Sequence, residues 1–179
     1  MALRRASCYS KRYTVPYTRK SKVKQKSYIK TVPNTHLTKM RMGDITRFKA
    51  GKFPIILNVQ AKHRVQLRDN ATEACRQFLN RFLVEEMGKD FYLEVKPYPH
   101  HIIRENKMLT GAGADRMQTG MALSFGKSMG RASLVRMGET IFVIGVTNSK
   151  HEAHARKLIG SIRARMPCPL HIETKYNKI

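Results

Sequence analysis

Several short stretches of this chain hold residue types that do chemistry when correctly spaced. Gly120-Met121-Ala122-Leu123-Ser124-Phe125-Gly126-Lys127-Ser128 has the outline of a phosphate-cradling loop. It sets five residues between its glycines where that loop needs four, and strand-like Ser133-Leu134-Val135 follows in place of a helix whose first turn meets the phosphates. Gly111-Ala112-Gly113-Ala114-Asp115-Arg116 puts Arg116 where a dinucleotide fingerprint has its third glycine. It reads instead as a tip whose small residues let backbone approach a bulky surface. His151-Glu152-Ala153-His154 spaces its histidines by three, not the four of a zinc protease helix, so a solvated first turn is expected. His100 and His101 are adjacent in a strand-like segment, point to opposite faces and do not share a metal. Cys8, Cys75 and Cys168 form no Cys-x-x-Cys pair, which excludes a zinc ribbon or disulfide framework and fits a reducing cytoplasm. No catalytic residue, metal or cofactor is expected.

Charge is the stronger signal. Among 179 residues, 35 Lys/Arg stand against 12 Asp/Glu, a formal charge of +23. That excess repels itself and points to a polyanionic partner. No apolar stretch approaches the ~20 residues that span a bilayer, and no clear helical segment pairs an apolar face with a long lysine face, so membrane is disfavoured. The cations are unevenly placed: residues 1–52 carry 15 against the single acid Asp44, while the rest carry 20 against 11. The sequence therefore predicts a basic arm over 1–52 and a domain over 53–179. An organelle transit peptide shares the arm's composition, but Tyr9, Tyr13, Val15-Pro16-Tyr17 and Val32-Pro33 break the helical period it needs. In an extended chain Lys22, Lys24 and Lys26 lie on one side, spaced ~6.7 Å apart, and can track a phosphate backbone. Tyr9, Tyr13, Tyr17 and Tyr28 interleave these charges and are candidates to stack on unpaired bases.

The elements that position such groups follow from periodicity. Ile55, Leu57, Val59 and Ala61 alternate as a half-buried strand, with a short strand at 63–67. Asn70 with Glu73 forms a capping-box pattern before a helix whose stripe runs Ala71, Ala74, Cys75, Phe78, Leu79, Phe82 and Leu83, with Gly88 at its C′ position. Strands are predicted at 91–95, 100–104 and 133–137, and the unbroken run Ile141–Val146 reads as a central strand. Ser149 and Glu152 repeat the capping box before a helix burying Ala155, Leu158, Ile159, Ile162 and Met166. Leu170, Ile172 and Thr174 close with a strand. Between 105 and 121 lies a loop longer than compact domains usually carry without a functional reason. The pattern is α+β: two helices on a mixed, mostly antiparallel sheet.

The stretch from Lys96-Pro97-Tyr98-Pro99-His100-His101 through Asn106-Lys107-Met108-Leu109-Thr110-Gly111 to Gln118-Thr119-Gly120-Met121 closely resembles the archaeal and eukaryotic branch of one ribosomal protein family, called L-ten-e there and L-sixteen in bacteria. Cys8-Tyr9, Pro16-Tyr17-Thr18-Arg19 and the helix from Ser149 extend the resemblance along the chain. It implies an α/β-hammerhead fold and a structural role in the large ribosomal subunit. It further implies binding to large-subunit rRNA near the central protuberance and support of aminoacyl-tRNA near the peptidyl transferase centre. The implied partners are rRNA, tRNA and neighbouring ribosomal proteins, with no stable homo-oligomer. Candidate RNA-binding residues are Arg4, Arg5, Lys11, Arg12, Arg19, Lys20, Lys22, Lys24, Lys26, Lys30, Arg41, His100, His101, Arg104, Lys127 and Arg131. Asn106, Lys107, Met108, Gly111, Gly113, Asp115, Arg116 and Gln118 are the implied tRNA-proximal loop residues. An RNA-processing enzyme or a DNA-compacting protein would share the basic surface; turnover of RNA, or equal affinity for duplex DNA, would mark them.

Overall fold

The computed structural model describes residues 5, 7–10, 29, 31–105 and 127–177. β2 (Ile55–Ala61) buries Ile55, Leu57, Val59 and Ala61 and leaves the residues between them half-buried, as its alternation demands. β7 (Thr140–Val146) is buried at every position from Ile141 onward. It takes the middle of a five-stranded sheet, ordered β1-β4-β7-β2-β8, with β1 (Arg41–Gly43), β4 (Tyr92–Val95) and β8 (Leu170–Tyr176). β3 (Val65–Arg68), β6 (Lys127–Val135) and β5 (His101–Glu105) form a second sheet, ordered β3-β6-β5.

The strands thus divide between two sheets, and every described pair is antiparallel. The α+β pattern of helices on mostly antiparallel strands is borne out, with the strands shared between two sheets. Residues 62–64 carry the chain from one sheet to the other, and residues 136–139 carry it back. The second turn includes Gly138 at φ +77°, a conformation that costs glycine little. Pro97 and Pro99 end β4 and separate it from β5 in the other sheet.

α3 (Asp69–Met87) and α4 (Ser149–Ile162) pack against each other and share one core with both sheets. Cys75, Leu79 and Leu83 of α3 and Ala155, Leu158, Ile159 and Ile162 of α4 meet Leu57, Val59, Leu93, Phe142 and Ile144 there. Gly88 terminates α3 at φ +60°, its N–H donating to Val84 O at 2.9 Å. The other face of the large sheet is covered by α2 (Ile45–Lys49), whose Phe48 ring stacks on Tyr92 at 3.8 Å. Phe53 and Val143 fill the space beside it. β4 is consequently buried at all four positions, although its sequence reads as alternating.

Neither capping box forms. Asp69 and Ser149 are already helical, and neither helix start has a side-chain cap. Asp69 Oδ2 accepts the His36 N–H at 2.9 Å, and Glu73 turns to Arg76, whose Nε donates to it at 2.7 Å. In α4, Glu152 accepts from Arg156 Nε at 2.9 Å. In each helix an arginine one turn on gives the carboxylate a charged partner, a stronger bond than a neutral cap.

These carboxylates locate where packing begins. Thr38 donates to Glu73 and accepts from Arg76 Nη2, and Arg76 Nη1 reaches Met42 Sδ at 3.0 Å. Leu37 and Met42 lie in the main core, and β1 pairs with β4. The composition changes near Gly51, but the packed unit takes in the chain from about Leu37. The Arg76 guanidinium holds the Glu73 carboxyl at a pKa of about 2, despite the opposing effect of burial.

Candidate nucleic-acid interface

The small sheet and the start of α3 gather most of the described polar residues that sequence reasoning singled out. β5 and β6 pair from His101 opposite Ala132 to Glu105 opposite Lys127, with a register shift after Ile103. Glu105 and Lys127, which flank segment 106–126, are therefore ladder partners. On the side shared by Ile103 and Ala132 lies α1 (Ser7–Ser10), whose Tyr9 is buried against both. Gln66 Nε2 donates to Tyr9 O at 3.1 Å, and the Arg68 guanidinium sits 5.3 Å from the Tyr9 ring centroid. Tyr9 is thus packed on protein and is not available to stack on a base.

Arg5 and Lys127 are exposed. His100 is exposed too, its ring 4.5 Å from that of Tyr98, and His101 is half-buried. Arg131 is half-buried: its Nε donates to Pro33 O at 2.7 Å and its Nη1 to Tyr98 Oη at 3.3 Å, tying the N-terminal segment to β6. Arg104 is buried, at 9% exposure. Arg41 stands apart on the large sheet, where its Nε donates to the buried Glu94 at 3.0 Å, and Lys96 Nζ reaches the same carboxylate at 2.9 Å. Burial alone would raise the pKa of Glu94, but Lys96 and Arg41 outweigh it and hold the carboxyl below its ordinary range. Arg41 is correspondingly more basic than usual because of the hydrogen bond to Glu94.

Arg4, Lys11, Arg12, Arg19, Lys20, Lys22, Lys24, Lys26 and Lys30 lie outside the described residues. So do Tyr13, Tyr17 and Tyr28 and the loop residues Asn106, Lys107, Met108, Gly111, Gly113, Asp115, Arg116 and Gln118. Cys8 is exposed; Cys75 and Cys168 are buried, and burial pushes the Cys75 thiol up to about 11. Among the described residues, no group of three or more His, Cys, Asp or Glu is placed to hold a metal, and no helix is long and apolar enough to cross a membrane.

Sequence reasoning missed several cations that the fold assembles. Arg163 and Arg165 form an exposed 3-10 turn after α4, and the Arg165 guanidinium lies 4.3 Å from the Phe78 ring centroid. Lys62 and Arg64 sit in the β2–β3 turn, which the Lys62 N–H ties to Pro169 O at 3.0 Å. The legible signal was the Arg-x-Arg run closing α4. Several exposed acids cluster at the other end of α3: Glu85, Glu86 and Asp90. A 19-residue helix separates the two ends by ~28 Å. At the far end of α3 the acids are balanced by Lys89 and by Arg47, whose Nη1 lies 3.2 Å from Asp90 Oδ1, so the surplus of cations lies on the other side of the domain.

These features define a cationic α+β domain. Residues 14–173 match the family described as ribosomal protein L16p/L10e, and the chain belongs to that family. It is 38% identical over 173 residues to the large ribosomal subunit protein uL16 of Thermofilum pendens, covering 96% of each chain. The protein of the same name from Caldivirga maquilingensis is 38% identical over 174 residues, 97% of this chain and 95% of that one. The uL16 of Methanococcus aeolicus is 37% identical over 168 residues, covering 93% and 91%. The protein is accordingly a structural constituent of the ribosome.

Proposed function

We propose that this protein is built into the large ribosomal subunit of the cytoplasmic ribosome, binds large-subunit rRNA near the central protuberance, and supports aminoacyl-tRNA near the peptidyl transferase centre without catalysing a reaction. The charge of +23, with exposed cations on the small sheet, in the β2–β3 turn and in the turn after α4, carries this reading. It orients the molecule: phosphates approach the face made by the small sheet, the β2–β3 turn and Arg163–Arg165.

Functionally the chain divides into the basic arm 1–52, whose residues ahead of Leu37 thread between RNA helices, and the domain 53–179, which docks together with the packed end of the arm. Arg5, His100, Lys127 and Arg131 are the described residues best placed for phosphate or base contact, joined by the arm residues from Arg4 to Lys30. The antiparallel pairing of β5 with β6 supports the assignment of loop 105–121 to tRNA. It sets Glu105 beside Lys127, the two residues that flank segment 106–126. Phosphate contacts supply affinity, and the shape of folded RNA supplies specificity.

Binding of the full chain to structured large-subunit rRNA should weaken by about a thousandfold or more between 50 and 200 mM salt. A flat salt response, or equal affinity for duplex DNA in direct competition, contradicts the proposal.

A further inference from the structure

Two short turns lie side by side where the large sheet passes into the small one: residues 62–64 lead out of β2, and residues 136–139 lead into β7. The Gly138 N–H donates to Ala61 O at 2.9 Å, and the Ala61 N–H donates to Glu139 O at 3.1 Å. Met137 stands in the second turn at 76% exposure, the most exposed large apolar side chain among the described residues. We propose that Met137 is an insertion element: its thioether side chain wedges against an unstacked base of bound RNA, while Lys62 and Arg136 meet the phosphates beside it. The inference rests on the RNA-binding role proposed above and adds to it a residue, its mode of contact and the kind of RNA feature it meets.

Three observations carry it. The first is rigidity. The Glu139 N–H closes the turn on Arg136 O at 3.2 Å, with Gly138 at φ +77° in the third position, as a type II turn requires. The Arg136 N–H donates to Glu139 Oε2 at 2.8 Å, and the Lys62 N–H donates to Pro169 O at 3.0 Å. The backbone that carries Met137 is thus fastened to its neighbours, and little ordering remains to be done on binding. The second is charge. The two turns carry exposed Lys62, Arg64 and Arg136 against one acid, Glu139, whose carboxylate is folded onto its own turn. A protein partner with an apolar pocket would need acids around its rim to match these cations, whereas RNA has a phosphate beside every base. The third is the side chain itself. Methionine is unbranched and polarizable and adapts to flat or irregular apolar surfaces, and apolar wedges of this kind enter nucleic acids between base steps. Folded RNA offers such surfaces where bases are splayed out in loops and bulges. A site for phosphates alone would be served better by a further cation in this position.

Hydrogen peroxide converts an exposed methionine to its sulfoxide, and mass spectrometry of the full-length chain reads the rate at Met137. On protein-free large-subunit rRNA that rate should fall about tenfold from its value in the free protein, and on heparin, a polyanion without bases, it should not change. Met137→Ala should weaken binding to the same rRNA about tenfold and leave the salt dependence as it is, because no phosphate contact is lost. Met137→Leu should restore most of the affinity, whereas Lys62→Gln should make the salt dependence shallower by about one counterion. A side chain this exposed can be replaced without unfolding the domain, which thermal melting of each variant checks. An oxidation rate on rRNA equal to the free rate overturns the insertion, as does equal protection by heparin or a folded Met137→Ala chain that binds like the wild type. Protection in the intact large subunit but not on protein-free rRNA gives Met137 a protein neighbour and overturns it too. A wild-type chain that fails to bind rRNA, or binds it with no response to salt, overturns instead the RNA-binding reading itself.

Discussion

Near their starts α3 and α4 each place a glutamate one turn ahead of an arginine, yet the two pairs do different work. Glu73 and Arg76 are both nearly buried, with side chains 9% and 10% exposed, and between them hold Thr38 and Met42. Glu152 meets Arg156 at the surface, where the arginine side chain is 44% exposed. A buried pair that also fastens a distant segment is part of the fold; a surface pair with the same chemistry is close to neutral, because water competes for both partners. Location in the fold, and not pairing as such, sets the energetic consequence.

The largest expected effect comes from leaving one charge of the buried pair alone. Arg76→Ala should destabilise the domain by about 3–5 kcal/mol in chemical denaturation and remove amide protection from residues 36–42. A loss below about 1 kcal/mol would make the two helix starts equivalent. Gly43→Ala attacks the same fastened segment from its far end. Gly43 has φ +81°, and a Cβ there would stand 2.0 Å from Phe91 O. Expulsion of β1 should cost about 2–3 kcal/mol, read as a lower denaturation midpoint.

The acid response is a further contrast. With its folded pKa at about 2 against an ordinary 4.5, Glu73 takes up its proton sooner in the unfolded chain. Its stabilising contribution is complete above about pH 4.5 and is lost as pH falls toward 2. Denaturation midpoints measured across that window should fall steeply for the wild type and less steeply for Glu73→Gln. The smallest effect belongs to Arg156→Ala, at about 0.3–0.5 kcal/mol, visible as a slight shift in the thermal midpoint.

The regular elements of the fold were legible in the sequence where one physical cause dominated. β2, β7 and the apolar stripes of α3 and α4 follow from alternation and helical period, because the core makes the same demand along their length. β1 was not legible: Arg41-Met42-Gly43 is too short and too charged to signal a strand, and it exists because β4 offers an edge and Gly43 permits close approach to Phe91. The capping boxes misled because Arg76 and Arg156 outcompete backbone N–H groups for the glutamates. The same limit applies to the binding surface. Net charge revealed the kind of partner, whereas the grouping of Arg68 and Asn70 with Arg165 depends on the fold bringing the turn after α4 back to the β3–α3 junction. Tyr9 was misassigned because nothing local distinguishes a tyrosine that awaits a base from one that covers Ile103 and Ala132.

The most direct measurement is sedimentation of a cell extract through a sucrose gradient at low salt, with detection of this chain in each fraction. Co-migration with the large ribosomal subunit, and its loss when the subunit is stripped by high salt, is the expected result. Recovery of the chain near the top of the gradient at low salt, free of any ribonucleoprotein particle, contradicts its place in the subunit.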